Sequence, residues 1–220
     1  MPASVEVAVK ICGLTSAEAA DAAARAGAAY GGLVFHPASP RNLALEQART
    51  IASVMAGKLK RVALVADPHD AELAAIIAAA SPDYLQLHGN ETVARTGEIR
   101  ARFKLPVIKA LPVADSEDLK AAEAYAPVAD LFLFDARPPK GAARAGGHGN
   151  AFDWTLLKGR AFAKPWFLAG GLDPDNVARA IALSGAALVD VSSGVETAPG
   201  VKSAERITQF IAATRQTVQA

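Results

Sequence analysis

Two kinds of segment alternate along this chain from end to end, and that alternation constrains its fold more than any other feature. Short runs rich in β-branched and aromatic residues occur near Val7–Cys12, Tyr30–Phe35, Arg61–Ala66, Tyr84–His88, Val107–Leu111, Leu131–Asp135, Trp166–Gly170 and Leu188–Ser192. Between them lie Ala-rich stretches such as TSAEAADAAARAG, HDAELAAIIAAA and DPDNVARAIALSG, whose apolar residues recur at helical spacing. Many open on Thr, Asp or Asn and several close on Gly, the usual punctuation of helix ends. Eight strands alternating with helices predict a parallel sheet. The 220 residues suit a compact (β/α)8 TIM barrel, a fold that needs about 200 residues or more. The rival is an open, doubly wound sheet. It would carry a G-x-G-x-x-G turn after the first strand, and the sequence there reads CGLTS. No linker divides the chain, so we expect one catalytic barrel domain over residues 1–220.

One segment breaks the pattern. Between the sixth and seventh runs lies RPPKGAARAGGHGN, a long Pro/Gly/basic loop, followed by a short helix at FDWTLLKG. Loops of this length in a compact domain are usually functional or mobile.

Composition narrows the function classes. Apolar residues make up 51% of the chain, enough for a sizeable core. The formal charge of +1 gives no general attraction to nucleic acid or anionic lipid. The single cysteine excludes an intrachain disulfide and suits a reducing cytosol. The N-terminus MPASVEVAVK has no basic segment followed by a long apolar one, so we expect no signal peptide. No apolar stretch long enough to span a bilayer is free of charge. The four histidines form no H-E-x-x-H pattern and no Cys/His set has zinc spacing. We therefore expect a cytoplasmic protein with no metal, membrane, nucleic-acid or obligate protein partner.

Strand parity sorts the side chains into two faces. In the first strand Val7, Val9 and Ile11 take one face and Ala8, Lys10 and Cys12 the other. In the fourth, Leu85 and Leu87 oppose Tyr84, Gln86 and His88. In the sixth, Phe132 and Phe134 oppose Leu131, Leu133 and Asp135. In the eighth, Val189 and Val191 oppose Leu188, Asp190 and Ser192. In the fifth, Lys109 falls between Val107 and Leu111. Polar residues thus collect late in the strands, on the face expected to look into the barrel. That predicts a wet mouth at the end where barrel active sites lie. Cys12 and Asp135 are candidate functional groups of that mouth. Lys10, Gln86 and His88 are candidate substrate contacts.

Two loops suggest an anion site. LAGGLDPDN follows the seventh strand, and Gly170 and Gly171 let backbone N–H groups approach a ligand closely. VDVSSGVE follows the eighth, where Ser192, Ser193 and Gly194 could open a short helix facing an anion. Barrels often bind phosphate between these loops. We group Asp190 with this set.

The combination of KICGL, GLVFHPASPRNL, LQLHG, LFLFDA, GGHGNAFDW, LAGGL and DVSSGVE, in this order, resembles the phosphoribosylanthranilate isomerases of tryptophan biosynthesis. The resemblance covers nearly the whole chain. It implies the barrel fold, a phosphorylated ribosyl-amine substrate and no cofactor. It also implies Cys12 as general base, Asp135 as general acid and Arg41 on the anthranilate carboxylate, with the Gly170–Gly171 and Ser192–Gly194 loops on the phosphate. Lys10 shares its strand face with Cys12, and a nearby cation would favour the thiolate.

Three other readings remain. A Schiff-base aldolase would use Lys109 or Lys10. A sister isomerase acting on an imidazole-carboxamide ribotide is expected to use two aspartates, and Cys12 in the first strand argues against it. A non-catalytic sugar-phosphate sensor would bind ligand without needing Cys12 or Asp135. His36, His69 and His148 read as loop residues.

Overall fold

The structure, a computed structural model, describes residues 7–137 and 151–216. The loop over residues 137–150, His148 included, therefore lies outside the described residues apart from Arg137.

Eight parallel strands pair in chain order and the last returns to the first, closing a barrel. They are β1 (Ala8–Cys12), β2 (Tyr30–Phe35), β3 (Lys60–Val65), β4 (Tyr84–Leu87), β5 (Val107–Val113), β6 (Leu131–Ala136), β7 (Trp166–Leu168) and β8 (Leu188–Val191). The closing register sets Lys10 beside Asp190. The helices are α1 (Ala17–Ala26), α2 (Leu45–Met55), α3 (Asp70–Ala80), α4 (Val93–Phe103), α5 (Ala121–Tyr125), α6 (Val177–Ser184) and α7 (Ala204–Thr214). Their ends follow local chemistry. Ser16, Thr92 and Ser203 cap α1, α4 and α7 by accepting from backbone N–H groups three residues on. Gly27 ends α1 in the left-handed conformation that glycine adopts without strain.

Two elements depart from the regular pattern. Between β6 and β7 the short helix expected at FDWTLLKG is a single 3-10 turn, Trp154–Leu157, started by Asp153. After β8 the chain does not run straight into a helix. It makes a 3-10 turn at Ser193–Val195 and then a small antiparallel ribbon, β9 (Glu196–Ala198) and β10 (Val201–Lys202). The sequence reading had foreseen no ribbon there.

Parity divides the core in two. Outward residues such as Val9, Ile11, Leu85, Leu87, Phe132, Phe134 and Val189 pack under the helices. Tyr30, Val62, Ile108, Ala110, Leu133, Phe167 and Ala169 fill the barrel interior. Tyr30 meets Phe167 and Tyr84 edge to face, at 5.2 and 5.8 Å between ring centres. The interior is thus a packed plug, with the polar side chains of β1, β4, β6 and β8 collected at the opposite end.

Candidate active site

Cys12 ends β1 with its side chain buried in the barrel mouth. Its thiol has room because β2 carries glycine opposite it: a Cβ on Gly32 would stand 3.0 Å from Cys12 Sγ and 3.2 Å from Lys10 Nζ. Both polar atoms therefore crowd one point of the lumen wall. Lys10 is fully buried and donates to Asp190 Oδ1 at 2.8 Å. Burial pulls the Lys10 ammonium down, but Asp190 and the thiol together hold it above the ordinary lysine value.

Lys10 does pull the thiol toward its ionised form, as its place on the same strand face led us to expect, but burial opposes it. Burial pushes Cys12 up, and this outweighs the pull of Lys10 and Lys202, with Asp190 adding to the rise. The physical reason is desolvation of the buried thiolate, which Lys10, with Asp190 only 2.8 Å from its ammonium, does not fully offset. Asp190, grouped with the phosphate loops from the sequence, is paired with Lys10 in the structure. Its carboxylate is taken by Lys10, and an anion beside it would be repelled.

Across the mouth, Asp135 near the end of β6 is tied at both oxygens. Oδ1 accepts from the Ala136 N–H at 2.9 Å, and Oδ2 stands 3.3 Å from His88 Nε2. His88 Nδ1 in turn lies 3.0 Å from Gln86 Nε2. With Gln86 donating, His88 is the Nε2–H tautomer and donates to Asp135. Gln86 is fully buried and its Oε1 has no partner. Its amide nitrogen lies against the His88 ring. A turned amide would present Oε1 to His88 Nδ1–H instead, so Gln86 can serve either tautomer.

The loops after β7 and β8 meet as the sequence reading required. Gly170 and Gly171 have φ of 85° and 66°, a region open to glycine at little cost. A Cβ on Gly194 would lie 2.0 Å from the Leu172 carbonyl oxygen, so only glycine lets the two loops touch. Asn176 locks the first loop, donating to the Gly171 carbonyl at 2.8 Å and accepting from the Asp173 N–H at 3.0 Å. Ser192 Oγ donates to the Cys12 carbonyl at 3.1 Å, which joins the β8 loop to the end of β1.

Arg41, in the loop after β2, is buried with its stem against Gly13. Its guanidinium forks onto Glu196, Nε to Oε1 at 2.6 Å and Nη2 to Oε2 at 2.8 Å. Nη1 is the nitrogen this fork leaves over. Lys202 Nζ shares the same carboxylate at 2.7 Å and also donates to the Ser192 carbonyl at 2.9 Å. Sequence reasoning missed Gly32, Glu196 and Lys202. Glu196 sat inside a quoted motif, but its partner Arg41 is 155 positions away, and no local spacing signals such a pair.

Lys109 is placed opposite to what a Schiff-base reading needs. It shares the parity of Val107 and Leu111, so it points outward beneath the helices. There it donates to Glu91 Oε2 at 2.6 Å and to the Gly89 carbonyl at 2.9 Å. Lys10, the other candidate amine, is held as an ammonium and has no free electron pair to attack a carbonyl. His36 and His69 lie in the loops after β2 and β3, with His69 at the N-terminus of α3. Among the described residues, no three His, Cys, Asp or Glu side chains are grouped to hold a metal, and no helix is long and apolar enough to cross a membrane.

Comparison with known proteins agrees with this geometry. The family model for N-(5'-phosphoribosyl)anthranilate isomerase matches residues 9–213. The N-(5'-phosphoribosyl)anthranilate isomerase of Paramagnetospirillum magneticum is 52% identical over 209 residues, covering 95% of this chain and 97% of that protein. That of Rhodopseudomonas palustris is 54% identical over 209 residues, covering 95% and 96%. The crystal structure of the Thermotoga maritima phosphoribosyl anthranilate isomerase superposes with a TM-score of 0.85 at 35% identity, covering 95% of this chain and 98% of that one. A further crystal structure, of such an isomerase in complex with reduced 1-(o-carboxyphenylamino)-1-deoxyribulose 5-phosphate, gives 0.80 at 32% identity, covering 95% and 98%. A closed barrel with a thiol and a carboxyl at one mouth, matched over almost its whole length, makes this chain a member of the N-(5'-phosphoribosyl)anthranilate isomerase family.

Proposed function

We propose that the protein catalyses the Amadori rearrangement of N-(5'-phosphoribosyl)anthranilate to 1-(o-carboxyphenylamino)-1-deoxyribulose 5-phosphate, a step of tryptophan biosynthesis. The observation that carries the residue assignment is strand order. β7 and β8 lie between β6 and β1, so a phosphate on the β7 and β8 loops sets the sugar between Asp135 and Cys12. A single anchor then orients the reacting carbon toward both groups.

The chemistry needs one acid and one base. Asp135 gives a proton to the ribose ring oxygen while the nitrogen lone pair breaks the C1–O bond, leaving an iminium ion. The iminium acidifies the C2–H, and the Cys12 thiolate removes that proton to give an enolamine. Tautomerisation moves the hydroxyl proton off O2 and a proton onto C1, which yields the ketone. His88 holds the Asp135 carboxyl in line through this exchange, and Gln86 supports whichever tautomer His88 adopts. Arg41 Nη1 receives the anthranilate carboxylate. Backbone N–H groups of the Gly170–Gly171 and Ser192–Gly194 loops receive the phosphate. The biosynthetic role of the family further supports a cytoplasmic location.

Purified protein should consume phosphoribosylanthranilate, seen as loss of the anthranilate fluorescence. Cys12→Ser and Asp135→Asn should each lower kcat by about 100-fold or more while ligand still binds. Normal turnover in either variant removes that residue from the mechanism. Gly194→Asp should raise KM through repulsion and lost backbone approach, and an unchanged KM would move the anion elsewhere.

A further inference from the structure

The base end of the mouth holds more positive charge than the barrel strands account for. Lys10 and Asp190 cancel as a pair. Behind them two cations, Arg41 and Lys202, share one carboxylate, Glu196. The Lys202 side chain is fully buried and that of Glu196 is 5% exposed, so solvent does little to screen this cluster. One unit of positive charge is left without a described counter-charge. It sits against Ser192, whose carbonyl and hydroxyl both take Lys202 Nζ, at 2.9 and 3.4 Å. The same hydroxyl is bonded to the Cys12 carbonyl.

The charged groups around the thiol are therefore few. Lys10 lies beside it from the same strand, Asp190 pairs with Lys10 from β8, and Lys202 on β10 reaches the end of β1 through Ser192, with Glu196 and Arg41 behind Lys202. The facing residue of β2, Gly32, brings no charge. Lys10, though paired with Asp190, pulls the thiol down most, and Lys202 on the ribbon is the second cation that does so.

We propose that Lys202, carried by the β9–β10 ribbon outside the barrel, is a positioning residue for the isomerase reaction that lets Cys12 ionise, with Glu196 limiting how much of its charge the thiol feels. A thiolate at Cys12 supplies the negative charge that the Arg41–Glu196–Lys202 cluster lacks. The mutual influence is visible from both sides: Lys202 pulls the buried thiol down, and the thiol, after Glu196, resists the fall that burial imposes on Lys202. The ribbon is fixed for this task. Thr15 Oγ1, just past β1, donates to the Gly200 carbonyl at 2.7 Å, and a Cβ on Gly200 would stand 2.7 Å from the Pro40 carbonyl oxygen beside Arg41. The strap thus spans the loops after β8, β1 and β2.

The inference rests on the isomerase reading but is tested without substrate. The chain has one cysteine and three tyrosines, so ultraviolet absorbance titrates Cys12 once the titration of Cys12→Ser is subtracted. Lys202→Met should move the midpoint up by about one pH unit, the lower end of what a nearby opposite charge contributes. Lys202→Arg should stay with the wild type. Glu196→Gln frees both cations and should move the midpoint down. Opposite signs separate electrostatics from structural damage, which would move both variants the same way. An unmoved midpoint in Lys202→Met, or a rise in Glu196→Gln, overturns the proposal. If Lys202→Met does not fold, the Glu196→Gln arm decides alone: a fall supports the proposal, and no shift or a rise overturns it. In turnover, the kcat/KM deficit of Lys202→Met should shrink as pH rises. A wild-type protein that titrates as expected yet does not isomerise phosphoribosylanthranilate sinks the functional reading and leaves this one standing. An active wild type with no Lys202 effect does the reverse.

Discussion

Lys10 with Asp190 and Lys109 with Glu91 are two buried lysine–carboxylate pairs of nearly the same geometry, 2.8 and 2.6 Å long. Every member is buried. They differ in one thing, the parity of the lysine along its strand. Lys10 points into the lumen, where its neighbour is the Cys12 thiol. Lys109 points out under the helices, where Glu91 gathers the Asp67 and Gly89 N–H groups and so fastens the loops after β3 and β4. That second loop follows directly on His88. The same pair of charges therefore stands beside a buried thiol on one side of the sheet and holds a loop in place on the other.

The comparison can be broken by removing charges. Lys10→Met and Lys109→Met should each cost about 3–5 kcal/mol in urea unfolding, because each leaves a carboxylate buried and unpaired. A loss well under 1 kcal/mol would mean that water reaches the orphaned group. The paired variants separate the two roles. Lys109→Met with Glu91→Gln keeps a neutral acceptor for the Asp67 and Gly89 N–H groups, and should recover most of the stability and near-normal turnover. Lys10→Met with Asp190→Asn should recover stability but remain about 100-fold slow, as a site does whose base has lost its surroundings. Equal turnover in the two paired variants would erase the distinction. Tyr125→Phe removes the hydrogen bond from its hydroxyl to the Glu91 carbonyl, 2.8 Å long. That should cost about 1 kcal/mol at the outer pair and leave kinetics unchanged.

The smallest effect is in the alkaline range. The folded Lys10 lies above its ordinary value of 10.5. A group raised in the folded state contributes stability that is complete below the unfolded value and fades as pH rises through the folded one. The stability gap between wild type and the Lys10→Met, Asp190→Asn variant should thus hold constant through neutral pH and narrow only in strong alkali. Narrowing near neutrality would show that Lys10 is not the ammonium described.

The strand reading matched the structure closely because burial on both faces imposes long apolar runs with a period of two. β2 runs over the same residues as expected, β1, β4 and β8 differ by one residue at an end, and β3 by one residue at each end. Ends were less legible, as at β7, where expected Ala169 and Gly170 have already turned into the loop. Lys109 shows that parity was available in the sequence, since its neighbours Val107 and Leu111 are outward residues. The ribbon after β8 was not legible. Two strands of three and two residues carry too little pattern to stand out.

The amino-acid sequence alone determined the alternation of strands and helices, the side of each strand that is polar, and the glycines the loops require, because these depend on neighbours a few positions apart. Tertiary structure alone decided which charges share a partner. Lys10 and Asp190 are 180 positions apart and Arg41 and Glu196 are 155 apart, and barrel closure brings them within a hydrogen bond. Whether a buried cation serves the thiol or only its own counter-ion depends on that meeting, since in a poorly screened interior the nearest opposite charge takes most of its field.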